Sequence, residues 1–105
     1  MKRTRKDIKS ESHGEVMRRR LRENREFAAE YLKAALEESG ETGSFLIALR
    51  RVAEARGGIA KVAKMAGIER ENLYRVLSPN GNPRVATLVA VTKAVGLKLT
   101  VENAR

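Results

Sequence analysis

Residues 59–84 read IAKVAKMAGIERENLYRVLSPNGNPR, and the spacing of small and apolar residues inside them decides the fold. Two short helices that cross steeply make fixed demands on a sequence. Midway along the first, a small residue must let the second approach, and Ala63 stands there. Four residues on, the turn requires a positive φ, which glycine adopts at no steric cost, and Gly67 fills that place. Ile68 follows as an apolar plug, and Leu73, Val76 and Leu77 give the second helix an inner face. Val62 and Ala66 complete the inner face of the first. The expected core of the unit is therefore Val62, Ala63, Gly67, Ile68, Leu73 and Val76, on helices over about 59–65 and 70–77. A helical hairpin closed by glycine satisfies much of the same pattern. The basic surroundings, with a helix before and another after, favour a helix-turn-helix that docks on double-stranded DNA.

With Leu73, Val76 and Leu77 turned inward, Glu71, Tyr74 and Arg75 face outward, and Arg70 is exposed at the helix start. The N-terminal part of such a helix meets base edges in the major groove. Arg70 and Arg75 can each donate twice to guanine, and Glu71 can accept from cytosine. Asn72, if it points outward, carries the donor and acceptor that match adenine. Tyr74 and Ser78 suit phosphate contacts. Ser78–Arg84 is the strongest loop signal in the chain, with two prolines and Asn80-Gly81. Within it Asn82 and Arg84 either hold a phosphate of the duplex or belong to a plain connection at a sharp angle. Each of these side chains is also consistent with a solvated surface.

Working outward, Ser44 is an expected N-cap for a helix from Phe45 to about Arg56, closed by Gly57-Gly58. Upstream, Val16, Met17 and Leu21, then Phe27, Tyr31, Leu32, Ala35 and Leu36, keep helical spacing from about Gly14, with a break expected at Asn24 and another at Gly40–Ser44. Val85–Val95 is rich in β-branched residues, yet Val85, Leu88, Thr92 and Val95 keep helical spacing and Gly96 suits a stop, so a helix is expected. Leu97-Lys98-Leu99-Thr100-Val101-Glu102 alternates and reads as a strand. Antiparallel pairing of that strand with a second copy would place Lys98 opposite Glu102 and gather Leu97, Leu99 and Val101 on one face, making a homodimer; pairing within the chain or with a partner protein is the alternative. The expected organisation is a basic arm over 1–13, a helical extension over 14–43 and a helix-turn-helix domain with a C-terminal strand over 44–105.

The charge follows that organisation. The net formal charge is +9. Residues 1–25 carry +6, residues 26–43 carry −4 and residues 44–105 carry +7. Two basic blocks around an acidic spacer attract polyanions and speed their association. Lys2, Arg3, Arg5 and Lys6 of the arm would add phosphate or minor-groove electrostatics, while Glu26–Glu41 offers an acidic surface to a basic protein partner. Cysteine is absent, so there is no disulfide framework or thiol nucleophile. No apolar run is long enough to cross a bilayer, and no apolar stretch follows the basic start as a secretory signal requires, so a cytoplasmic location is expected. The lone His13 and lone Asp7 lie in or beside the polar arm, and the glutamates fall on exposed helix faces. An enzyme, a metal site, a cofactor or a small-molecule ligand is therefore not expected. Four aromatic residues are too few for an RNA-stacking surface.

The stretches REFAAEYLKAALEE (25–38), FLIALRRVAEARGG (45–58), the motif at 59–84 and GLKLTVE (96–102) resemble the addiction-module antidote family, whose members are Xre-type antitoxin regulators. LYRVLSPNGNPR is the most specific piece of that resemblance, which spans about residues 21–102. It implies an all-α, lambda-repressor-like domain, binding to the operator of its own operon, and a toxin partner of the RelE/ParE-like ribonuclease class. Glu69 departs from the family's pattern, which would have a Ser or Thr cap there. The residues also leave open a stand-alone phage-type regulator without a toxin, a non-specific architectural DNA binder, and a toxin neutraliser with a vestigial DNA site.

Overall fold

The computed structural model describes residues 12–39 and 41–104. The basic arm and its lysines and arginines over residues 1–11 lie outside the described residues, as does Gly40. The described chain folds as α1 (His13–Glu23), α2 (Arg25–Ser39), α3 (Thr42–Ala55), α4 (Ile59–Ala66), α5 (Arg70–Val76) and α6 (Val85–Ala94). The long α3 is the axis of the molecule. Helices α1 and α2 pack on it from the N-terminal side, and α4 joins it to α5 and α6. Its buried residues Phe45, Leu46, Leu49, Val52 and Ala53 meet Leu21 of α1, Ala28 and Leu32 of α2, and Val62 of α4 in one continuous core. Each contributes an apolar stripe at three- and four-residue spacing, which is the signal read in the sequence.

Polar groups set the helix starts and stops on the N-terminal side. Ser12 opens α1 with a capping box: its hydroxyl accepts from the Glu15 amide at 3.0 Å, and the Glu15 carboxylate accepts from the Ser12 amide at 3.1 Å. His13, expected in the arm, is consequently the first residue of α1. Asn24 makes the expected break by serving both neighbours. Its amide donates to the Arg20 carbonyl at 2.9 Å, and its side-chain oxygen accepts from the Phe27 amide at 2.9 Å. The start of α3 differs from expectation. The helix begins at Thr42, two residues before Ser44, with Glu41 as an N-cap that makes no side-chain cap bond. Gly43 is thus inside the first turn and not in a loop; a Cβ there would stand 2.8 Å from the Pro79 carbonyl oxygen, so glycine allows the 78–84 loop to pack against α3.

Arg56, just past the end of α3, ties three elements together. Its Nε donates to the Val95 carbonyl at 2.7 Å, and its Nη1 donates to the carbonyls of Leu21 and Arg22, each at 3.0 Å. Those carbonyls close α1 and α6, where helices carry unpaired acceptors and partial negative charge. One guanidinium answers both ends.

The strand expected at Leu97–Glu102 is not there. Among the described residues the fold is all-helical with no strand, and residues 97–104 run as irregular chain. Alternation marks a segment able to pleat, but a strand exists only when its backbone pairs, and none of the described residues is paired as a strand with it. Other contacts, near and far in the chain, hold the segment. The Leu97 amide donates to the Thr92 carbonyl and the Gly96 amide to that of Lys93, both at 3.0 Å, closing α6 with Gly96 at φ 88°. Leu97 then packs on the core, whereas Leu99 is 40% exposed and Val101 93% exposed, so the three do not form one buried face. Lys98 is exposed, and Glu102 pairs at 3.5 Å with Lys33 of α2 in its own chain. The Glu102 charge, then the hydrogen bond to it, holds the Lys33 ammonium above its ordinary pKa.

Candidate nucleic-acid interface

Helices α4 and α5 pack against each other across the turn at 67–69. Gly67 ends α4 in the left-handed region at φ 73°, ψ 32°. The Ile68 amide reaches back to the Ala63 carbonyl at 2.9 Å and the Gly67 amide to that of Lys64 at 3.2 Å, the paired bonds of a Schellman closure. No atom lies within 4 Å of where a Gly67 Cβ would stand, so backbone conformation alone requires glycine there. Val62, Ala63 and Leu73 are fully or almost fully buried, as is Leu77 just beyond α5. Ile68 and Val76 are only half-buried and cover the edge of that core. Glu69 is the N-cap of α5 and makes no side-chain cap bond, as its departure from Ser or Thr implies.

Burial of Leu73 and Leu77 turns the other side of α5 to solvent. Arg70, Glu71 and Arg75 are exposed and Asn72 is half-buried. Glu71 and Asn72 lie one turn before Arg75, so the three share a face. An Nη2 of Arg75 donates to the side-chain oxygen of Asn72 within that face. The structure therefore brings all four expected base-reading residues onto one short helix, with a polar link inside the group.

The expected phosphate contacts are arranged less simply. Tyr74 is half-buried and its ring is covered by the Arg50 guanidinium of α3, 5.0 Å from the ring centroid. Arg50 also pairs with Glu54 at 3.5 Å. Arg50 brings a cation beside α5 that the sequence did not single out; its only signal was a place one helical turn from Glu54 on a helix whose packing was not yet known. The Ser78 hydroxyl donates to the Arg75 carbonyl at 2.8 Å, which occupies its proton inside the chain. Asn82 is exposed, and Arg84 is exposed as the N-cap of α6. The loop carrying them folds tightly under α5: the Gly81 amide donates to Ser78 at 2.9 Å, and a Cβ on Gly81 would fall 2.1 Å from the Val76 carbonyl oxygen. Leu97, Lys98, Leu99, Val101 and Glu102 are not brought to this surface; Glu102 sits against α2.

Residues 17–103 match the family described as "Probable addiction module antidote protein". The chain belongs to this family. It is also similar to an uncharacterized protein of Haemophilus influenzae, 41% identical over 75 residues that cover 71% of this chain and 75% of the relative. No solved structure was found to match it. Membership of an antidote family implies an antitoxin role and a toxin partner, and antidotes are generally not enzymes. Among the described residues no helix is long and apolar enough to cross a membrane.

Proposed function

We propose that this antidote is also a sequence-specific DNA-binding repressor that recognises the operator of its own operon through α5. The observation that carries the reading is the solvent-facing side of α5, where exposed Arg70, Glu71 and Arg75 and half-buried Asn72 stand over a hairpin whose other side is buried. Such a face can enter a major groove and meet base edges. The +7 charge of residues 44–105 supplies the electrostatic attraction to the duplex. In this reading Arg84, Asn82 and Arg50 flank the helix as phosphate contacts, and two copies bind half-sites about one turn apart.

The toxin side of the function falls to α2. Glu26, Glu30, Glu37 and Glu38 are exposed on it, and Leu36 is 51% exposed among them. An acidic helix with an exposed leucine complements a basic ribonuclease of the RelE/ParE-like class.

The test is a salt-controlled binding titration with the DNA upstream of the chain's own reading frame and a scrambled duplex of equal length. Arg75→Ala should lose about 1–3 kcal/mol on the upstream DNA and much less on the scrambled one. Equal losses on both would leave charge alone and point to an architectural binder. Gel filtration after co-expression with the neighbouring small protein tests the toxin surface, and Glu37→Lys with Glu38→Lys should abolish the complex.

A further inference from the structure

Arg75 and Asn72 are three residues apart on α5, and the arginine donates to the side-chain oxygen of Asn72. Arginine offers only N–H donors, so the orientation of the Asn72 amide follows: its oxygen faces the guanidinium and its NH2 faces away. Recognition of adenine by asparagine needs both ends of the amide turned to one base, the oxygen accepting from N6 and the NH2 donating to N7. Here the oxygen is held by a cation. One of its two lone pairs is thereby taken, and the Asn72 NH2 and the remaining Arg75 N–H groups, all donors, make up most of what is left to meet a base. An adenine N6 amino group brought against those N–H groups would face donors, while guanine presents them with two acceptors, N7 and O6.

We infer that Asn72 and Arg75 act as one donor-rich unit that selects guanine, with Asn72 as the positioning residue for the Arg75 guanidinium. This rests on the DNA-reading function of α5 proposed above. An arginine on an exposed helix samples many rotamers, and a base contact must select one of them. Arg75 is exposed and Asn72 is half-buried, so the bond ties a free side chain to a more confined one and removes part of that selection before DNA arrives.

The experiment is selection from a library of randomised duplexes by the full chain and by Asn72→Ala, Asn72→Asp and Arg75→Ala, with thermal melting to confirm that each is folded. The unsubstituted chain should enrich a site with guanine at one position, and Arg75→Ala should erase that preference. Asn72→Ala should lower the preference for guanine over adenine there by about tenfold, without new preference elsewhere. Asn72→Asp keeps an acceptor for Arg75, so it should retain the guanine preference although its negative charge weakens binding to every duplex. Three results would overturn the inference while leaving DNA reading intact: an enriched adenine whose identity depends on Asn72, a guanine preference unmoved by Asn72→Ala, or its loss in Asn72→Asp. If the folded, unsubstituted chain enriches no sequence, the DNA-reading function itself fails and the inference goes with it.

Discussion

Two pairs of helices lean on α3, and they are held in different ways. The α4–α5 hairpin is fastened by apolar burial, with Ile59, Val62, Ala63, Leu73 and Leu77 inside, and by a glycine turn. Its outer face is thereby free of structural duty, apart from the Asn72–Arg75 link. The α1–α2 pair buries fewer large side chains, chiefly Leu21 and Leu32, and is tied at its ends by polar groups: the Ser12–Glu15 box, the double role of Asn24, and Arg56 reaching the carbonyls of Leu21 and Arg22. Burial is non-directional and leaves surface chemistry to vary, whereas hydrogen bonds at helix ends constrain particular residues. A ligand-reading surface can sit on the first kind of support without disturbing it.

That contrast can be broken most forcefully at Leu73. Truncation to alanine leaves a cavity at the centre of the hairpin and should cost about 3 kcal/mol in urea unfolding. A loss below about 1 kcal/mol would mean that burial is not what fastens α5. Arg56→Ala comes next. It orphans three carbonyl acceptors and should cost about 2 kcal/mol, with faster amide exchange concentrated in the last turn of α1 and around 95–97. Exchange that rises equally in α5 would show that the two pairs are one cooperative unit and erase the distinction. Gly67→Ala should cost about 1–2 kcal/mol from the left-handed backbone alone, since there is space for the Cβ. Gly67→Asn should cost less, because asparagine tolerates that conformation; equal losses would put the cause in contacts. The smallest expected effect is Asn24→Ala, about 1 kcal/mol by thermal melting, with fraying confined to the start of α2.

These positions also mark how far the sequence could be read. Gly67, Ala63 and Leu73 were legible because a turn's φ and a helix's period are local properties, expressed within a few residues of chain. The same locality placed α6 correctly despite its β-branched residues and foresaw the break at Asn24. Arg70, Glu71 and Arg75 could be assigned to an exposed face once Leu73 and Leu77 were assigned to the core. Arg56 could not be foreseen, because its partners lie 34, 35 and 39 residues away in the chain. Arg50 was missed for a similar reason: its neighbour Tyr74 comes from a different helix.

The sequence by itself determined where helices begin, turn and stop through most of the molecule, and which side of α5 is apolar, since periodicity, caps and glycine conformations act over one or two turns. Only the tertiary structure decided the state of residues 97–102. Their alternation fits a strand equally well, but strand pairing is a relation between two segments, and Glu102 finds Lys33 on a helix instead. Tertiary packing likewise decided that Val76 and Ile68 stop at half burial and that Tyr74 meets Arg50. The direction of the Asn72 amide was settled in the same way, by the rotamer in which Arg75 comes to rest. A side chain's type and register limit what it can touch, while the partner that arrives depends on how whole helices dock.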